Sequence, residues 1–309
     1  MAVIYNIDGG FDFDVLDGSS AAFGVFDGVH RGHRYLLAAA QGTAADEGGR
    51  SIALTFDRDP DELFRPEHMK KLLTNEDRLD ALARSGVDAV CVLPFTREFA
   101  AKSPEEFLES TFEGHAPAHL HVGVDFSFGA GASGHVAELE EWARANGTDV
   151  HAHHLVSSDG LPVTATRIRD LLAEGRCEEA AELLGRPYAL HDIVRPGRRD
   201  GREFGFRTAN LELPVERQVA AEAVYGGYAF VDGRRYRAAI AVGKSPVFES
   251  GSTATCEVNI LDFDRDIYGQ DIWVELHHYL RPMIKFDSID QLIATVKGNI
   301  QWVRDNMDL

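Results

Sequence analysis

Cysteine is scarce: 309 residues include three, Cys91, Cys177 and Cys256, far apart and without a C-x-x-C pair. An odd, scattered set argues against a disulfide framework or a zinc knuckle, and buried filler is the expected role. Long apolar runs are missing as well. No stretch approaches the roughly 18 consecutive apolar residues of a membrane helix. The opening "MAVIYNIDGGFDFD" shows neither a basic leader nor an apolar core, so a cytoplasmic protein without membrane attachment is expected. Basic residues are outnumbered, 31 against 50 acidic, for a formal charge of −19. Such a surface repels nucleic acid and anionic membranes, and a phosphorylated substrate would need a locally basic pocket. Repeats and low-complexity tracts are absent too. What remains, 44% apolar and 26% charged residues, is the composition of a packed globule. Its length suits two domains, each with its own core.

The first half alternates strand and helix. "SAAFGVF", "RSIALTF", "VDAVCVLPF", "AHLHVGVDF" and "DVHAHHLV" read as strands. Between them "GHRYLLAAAQGTAADEG", "NEDRLDALARSG", "SPEEFLESTF" and "HVAELEEWARANG" read as helices, the second capped by Asn75 and stopped by Gly86. This order predicts a doubly wound parallel sheet. Two short helices around Gly175 follow, and Gly185 with Pro187 marks a boundary, giving domains 1–184 and 185–309. Beyond it the pattern turns antiparallel. "GGYAFV" and "RRYRAAIAVG" flank Asp232-Gly233, a hairpin signal. In "TATCEVNILDF", Thr255, Glu257 and Asn259 share one face, and Cys256, Val258 and Ile260 the other. A small antiparallel β-barrel is expected. A closing helix carries Ile289, Leu292, Ile293, Val296, Ile300 and Val303 as one stripe.

Two strings carry chemistry. In "GVFDGVHRGH" a strand ends in a glycine-rich turn that feeds a helix, so free backbone N–H groups and a positive dipole end face whatever lies above the sheet. His30 and His33, one helical step apart, can both donate to phosphate oxygens, while Gly24, Gly28 and Gly32 allow close approach. The lysine and serine of a P-loop are missing, which excludes that kinase cradle here. Nucleotidyl transfer fits better, because it needs in-line positioning and donors aimed at the α-phosphate. In "TATRIRDLL", Thr166 can cap a helix and Arg169 can reach a phosphate. The second string, "RPGRRDGREFGFRTANL", gathers Arg195, Arg198, Arg199, Arg202 and Arg207 in an acidic chain. Thr208 and Asn210 offer hard oxygen ligands suited to magnesium. Glu257 on its own reads as a solvent-facing strand residue.

"GVFDGVHRGH" resembles the nucleotidyltransferases marked by histidine, any residue, glycine, histidine. Together with "LTFD", "LPFTREFA", "SPEEF", "VGVDFSFGAGASG" and "LLGRPY", it is similar to the bifunctional bacterial riboflavin kinase and FAD synthetase family over nearly the whole chain. The resemblance implies ATP and Mg2+ at both sites, with riboflavin and FMN as substrates. It implies that His30, His33, Thr166 and Arg169 steady the ATP phosphates. It further implies that Gly24, Phe26, Asp27, Gly28, Gly32, Asp125, Phe126 and Phe128 bind nucleotide or flavin. In the kinase string, Gly201, Arg202, Gly205, Phe206, Thr208 and Asn210 hold Mg–ATP, and Glu257 takes the proton from the riboflavin 5′-hydroxyl. The chain departs from the family at four places. Arg58 and Asp59 stand for a proline and a histidine, Asp125 for an asparagine, Arg207 for a proline before "TAN", and "AVGKSPV" for an asparagine with a Pro-Thr pair. The competing reading keeps one activity and leaves the other module a flavin- or nucleotide-binding remnant, or makes the whole a non-catalytic sensor.

Overall fold

The computed structural model describes residues 1–6, 13–65, 70–197, 206–244 and 254–308. It divides into two compact units, Met1–Ala165 and Thr166–Leu309.

The first unit is built on six parallel strands: β1 (Val3–Asn6), β2 (Ser20–Phe23), β3 (Ser51–Phe56), β4 (Ala89–Leu93), β5 (His119–Gly123) and β6 (Asp149–His153), in the spatial order β1-β4-β3-β2-β5-β6. Helices α1 (Arg31–Glu47), α2 (Asp61–Phe64), α3 (Asn75–Ala83), α4 (Arg97–Ala100), α5 (Pro104–Phe112) and α6 (Val136–Asn146) connect them. The central strands are buried on both faces, so their apolar residues need not alternate with polar ones. Ile52, Leu54, Cys91 and Leu93 join one core cluster, while Ala53, Val90 and Val92 join the other beneath α1. The doubly wound sheet therefore stands as expected. Two details differ. Thr74, not Asn75, caps α3, its hydroxyl accepting from the Asp77 amide at 3.0 Å. Edge strand β1 and a small hairpin of β7 (Ser157–Ser158) and β8 (Leu161–Pro162) carry too little apolar pattern to be read beforehand.

The second unit holds α7 (Ala165–Ala173, from its second residue), α8 (Cys177–Leu184), β9 (Tyr188–Ile193), β10 (Ala209–Leu213), β11 (Ala223–Val231), β12 (Arg234–Lys244), β13 (Ala254–Ile260), β14 (Asp271–Pro282) and α9 (Ile289–Asn306). The strands are antiparallel in the order β10-β13-β12-β11-β14-β9. A bridge between Arg195 and Asn210 brings the two outer strands together and nearly closes a barrel. The β11–β12 turn is the expected one, with Asp232 and Gly233 at φ 50° and 72°. On β13, Cys256 and Val258 are buried and Glu257 is exposed, as alternation requires. The stripe on α9 is covered only toward its end: Val303 is fully buried, whereas Ile289 is 57% exposed. All three cysteines are buried and unpaired, and burial lifts the Cys91 and Cys256 thiols to about 12.

Candidate active sites

In the parallel sheet the chain steps outward from β2 through β3 to β4 on one side and from β5 to β6 on the other. The carboxyl ends of β2 and β5 therefore flank the topological switch point, where doubly wound sheets open a crevice. A cavity of about 280 Å³ lies there. Gly24, Phe26, His30, Gly32 and His33 line it from the β2–α1 turn, and Asp125 and Phe126 line it from the segment after β5.

The turn is wound tightly, with positive φ at Phe26 (61°), Gly28 (77°) and Val29 (42°). It delivers His30 to the mouth of α1, where its Nδ1 accepts from the His33 amide at 3.3 Å. That bond leaves the ring proton of neutral His30 on Nε2. The two imidazoles stack at 3.5 Å, 17° apart. The His33 Nδ1 is buried without a hydrogen-bond partner among the described residues. Burial, then His30 and Arg78, hold the His33 pKa well below the usual value, so the ring is neutral near pH 7. Gly32 has its own reason: a Cβ there would meet the His30 ring at 3.1 Å.

Several candidates sit elsewhere than a ligand contact would suggest. Asp27 is buried and accepts from the Leu72 amide at 3.0 Å and the Leu73 amide at 3.3 Å, which ties the turn to the segment before α3. Phe128 is buried against Phe107 and Phe126, inside a phenylalanine cluster that includes Phe23 and Phe56. Asp125 is exposed, its Oδ1 over Gly123. Arg58 forks onto Asp57 at 3.0 and 3.2 Å, and the Asp59 carboxylate accepts from the Asp61 amide at 2.9 Å, opening α2. The cavity lining runs as far as Ala165. Thr166 and Arg169 belong to the second unit, Thr166 exposed and Arg169 half-buried. Helix α7 starts at Ala165, so Thr166 lies inside its first turn rather than capping it.

Sequence reasoning missed Arg78. Its guanidinium is buried and donates to Val25 O at 2.9 Å, Thr55 Oγ1 at 2.8 Å and Phe56 O at 2.7 Å, joining the ends of β2 and β3 behind the cavity. No local pattern marks it, since its partners are remote backbone groups. His153 and His154 also line this cavity and were read only as strand residues.

The second unit has a cavity of about 820 Å³, lined by Phe206, Thr208, Asn210 and Glu257 among others. Asn210 and Glu257 are directly opposed on β10 and β13. The Asn210 amide nitrogen donates to Thr208 O at 3.3 Å. Gly197 makes room for that carboxamide, because a Cβ there would fall 2.4 Å from it. Hydroxyl, carboxamide and carboxylate oxygens around one opening are the hard donors Mg2+ takes, so this set fits the ion. Arg207 turns to an ion pair with Asp264, and its carbonyl accepts from Asn259 at 2.7 Å. Arg198, Arg199, Gly201, Arg202 and Gly205 lie outside the described residues.

Comparison with known proteins matches both units. A FAD synthetase family model covers residues 13–167 and a riboflavin kinase model covers 184–307. The bifunctional riboflavin kinase/FMN adenylyltransferase of Listeria monocytogenes is 32% identical over 92% of this chain and 90% of its own. That of Escherichia coli K12 is 34% identical over 91% and 90%. A solved structure described as a macrolide-efflux protein from Streptococcus pneumoniae is 30% identical and superposes with a TM-score of 0.87, covering 99% of this chain and 100% of that one. Among the described residues no helix is long and apolar enough to cross a membrane. With both modules matched in series and relatives aligned nearly end to end, this chain belongs to the bifunctional riboflavin kinase/FMN adenylyltransferase family.

Proposed function

We propose that the chain phosphorylates riboflavin in a kinase module, residues 185–309, and adenylylates the resulting FMN in a module of residues 1–184, consuming ATP in each step. The observation that carries this reading is that each sequence constellation lines a cavity of its own unit. In the kinase module, Glu257 accepts the proton of the riboflavin 5′-hydroxyl, whose oxygen attacks the γ-phosphorus of ATP and releases ADP. Thr208 and Asn210 would hold Mg2+, which supplies charge neutralisation along the phosphates. In the adenylyltransferase module, a phosphate oxygen of FMN attacks the α-phosphorus and pyrophosphate leaves. The neutral His30 and His33 rings and the first amides of α1 stabilise the charge that develops there. Arg169 and Thr166 supply further phosphate contacts. The protein works in the cytoplasm on small molecules, without nucleic acid or membrane.

Separate substitutions test the division. Glu257→Gln is expected to slow FMN formation by roughly 10²- to 10⁴-fold and leave conversion of supplied FMN to FAD intact. His33→Ala should do the reverse. Loss of both activities from either change would refute independent sites. A second reading, in which only the kinase survives, draws on the extra carboxylates Asp59 and Asp125; it predicts that FMN accumulates and no FAD forms.

A further inference from the structure

Four histidines outside the proposed chemistry form one file across two neighbouring strands. His119 and His121 on β5 and His151 and His153 on β6 share the sheet face opposite Leu120 and Val122. His119 Nδ1 lies 3.2 Å from His151 Nε2, and His121 Nδ1 lies 2.9 Å from His153 Nε2. Between these rungs His121 stacks on His151 at 4.5 Å, 14° apart. Asp149 is two residues before His151, hence on the same face, directly opposite His119, and exposed.

We propose that His119, His151 and Asp149 form a zinc site that fastens edge strand β6 to β5. Two Zn–N bonds of about 2.0–2.1 Å at a tetrahedral angle place the nitrogens about 3.3 Å apart, and the His119–His151 rung already holds them at 3.2 Å. Asp149 reaches the same point by a side-chain rotation open to an exposed residue, and water takes the fourth position. Histidine must be neutral to ligate. Burial, followed by the His119 charge, lowers the His151 pKa and keeps its lone pair available at neutral pH. The buried His121 ring, packed flat on His151, fixes the orientation of that ligand in the manner of outer-shell support. The upper rung is not required, so His153 stays at the nucleotide cavity.

The test uses full-length protein stripped with chelator and titrated with Zn2+ or Co2+ alone. Calorimetry should show one Zn2+ per chain. Co2+ should give the intense visible bands of four-coordination, bleached by added Zn2+, and Zn2+ should raise the melting temperature. His119→Ala and Asp149→Asn should each weaken binding at least about tenfold and abolish the thermal shift. Both should leave Mg2+-supported FAD synthesis in zinc-free buffer unchanged. The exposed trio Asp14, Asp17 and His115 is the control, since its ligand atoms also cluster. Binding that survives His119→Ala, or that disappears with His115→Ala, overturns the proposal, as does the absence of saturable binding. These readouts involve no turnover, so a failed FAD assay and a failed zinc site are distinguishable.

Discussion

At the scale of single residues, the first site depends on side chains that never touch a ligand. Arg78 is 2% exposed and supplies three hydrogen bonds to groups at the ends of β2 and β3. Arg78→Met preserves bulk but leaves three acceptors unpaired, and it should cost about 3 kcal/mol or more, read as a lowered denaturation midpoint. Titration gives a second expectation. The His33 pKa is depressed, chiefly by burial, and that of His121 is lowered to about 3 by burial and neighbouring imidazoles. Below about pH 6.5 the unfolded chain therefore takes up protons that the folded one refuses. Stability is fully present above that pH and is lost as pH falls toward 3. Chemical denaturation in metal-free buffer should show it falling by a few kcal/mol between pH 7 and 4. The histidines of the turn were legible because they sit next to one another in sequence. Arg78 was not, because its partners lie 22 to 53 positions away.

At the scale of elements, legibility followed signal strength. Helix α5 announces itself with Ser103 before Pro104, and the structure completes a capping box in which the Ser103 hydroxyl accepts from the Glu106 amide at 3.2 Å. The Glu106 carboxylate accepts from the Ser103 amide in return, at 2.9 Å. Ser103→Ala should cost about 1 kcal/mol in thermal melting. The Asp232-Gly233 hairpin and the alternation on β13 were equally plain, each being set by a backbone or side-chain period of a few residues. Short β1 escaped because an edge strand of four residues, mostly exposed, shows no burial pattern. The cap of α3 slipped by one because Thr74 and Asn75 are both good caps, and only the bond to Asp77 decides between them. The two cavities illustrate the same limit. Sequence supplied the Thr208 and Asn210 string, but the strand register that sets Asn210 opposite Glu257 is a tertiary fact.

At the scale of the whole molecule, the excess of acid dominates. A formal charge of −19 means self-repulsion that the compact state bears and the unfolded chain relaxes. Raising KCl from about 0.1 to about 1 M shortens the screening length from about 10 to about 3 Å, so the melting temperature should rise. A fall would mean that surface ion pairs such as Arg84–Asp80 outweigh the repulsion. The buried thiols carry one more consequence. Cys91 belongs to the parallel sheet, while Cys177 and Cys256 belong to the second unit, and none reaches solvent in the native chain. An alkylating reagent thus finds nothing to mark until a unit opens, and the position it marks tells which one opened. The protein carries its own unfolding gauge, readable by peptide mass along a denaturant series without any introduced label.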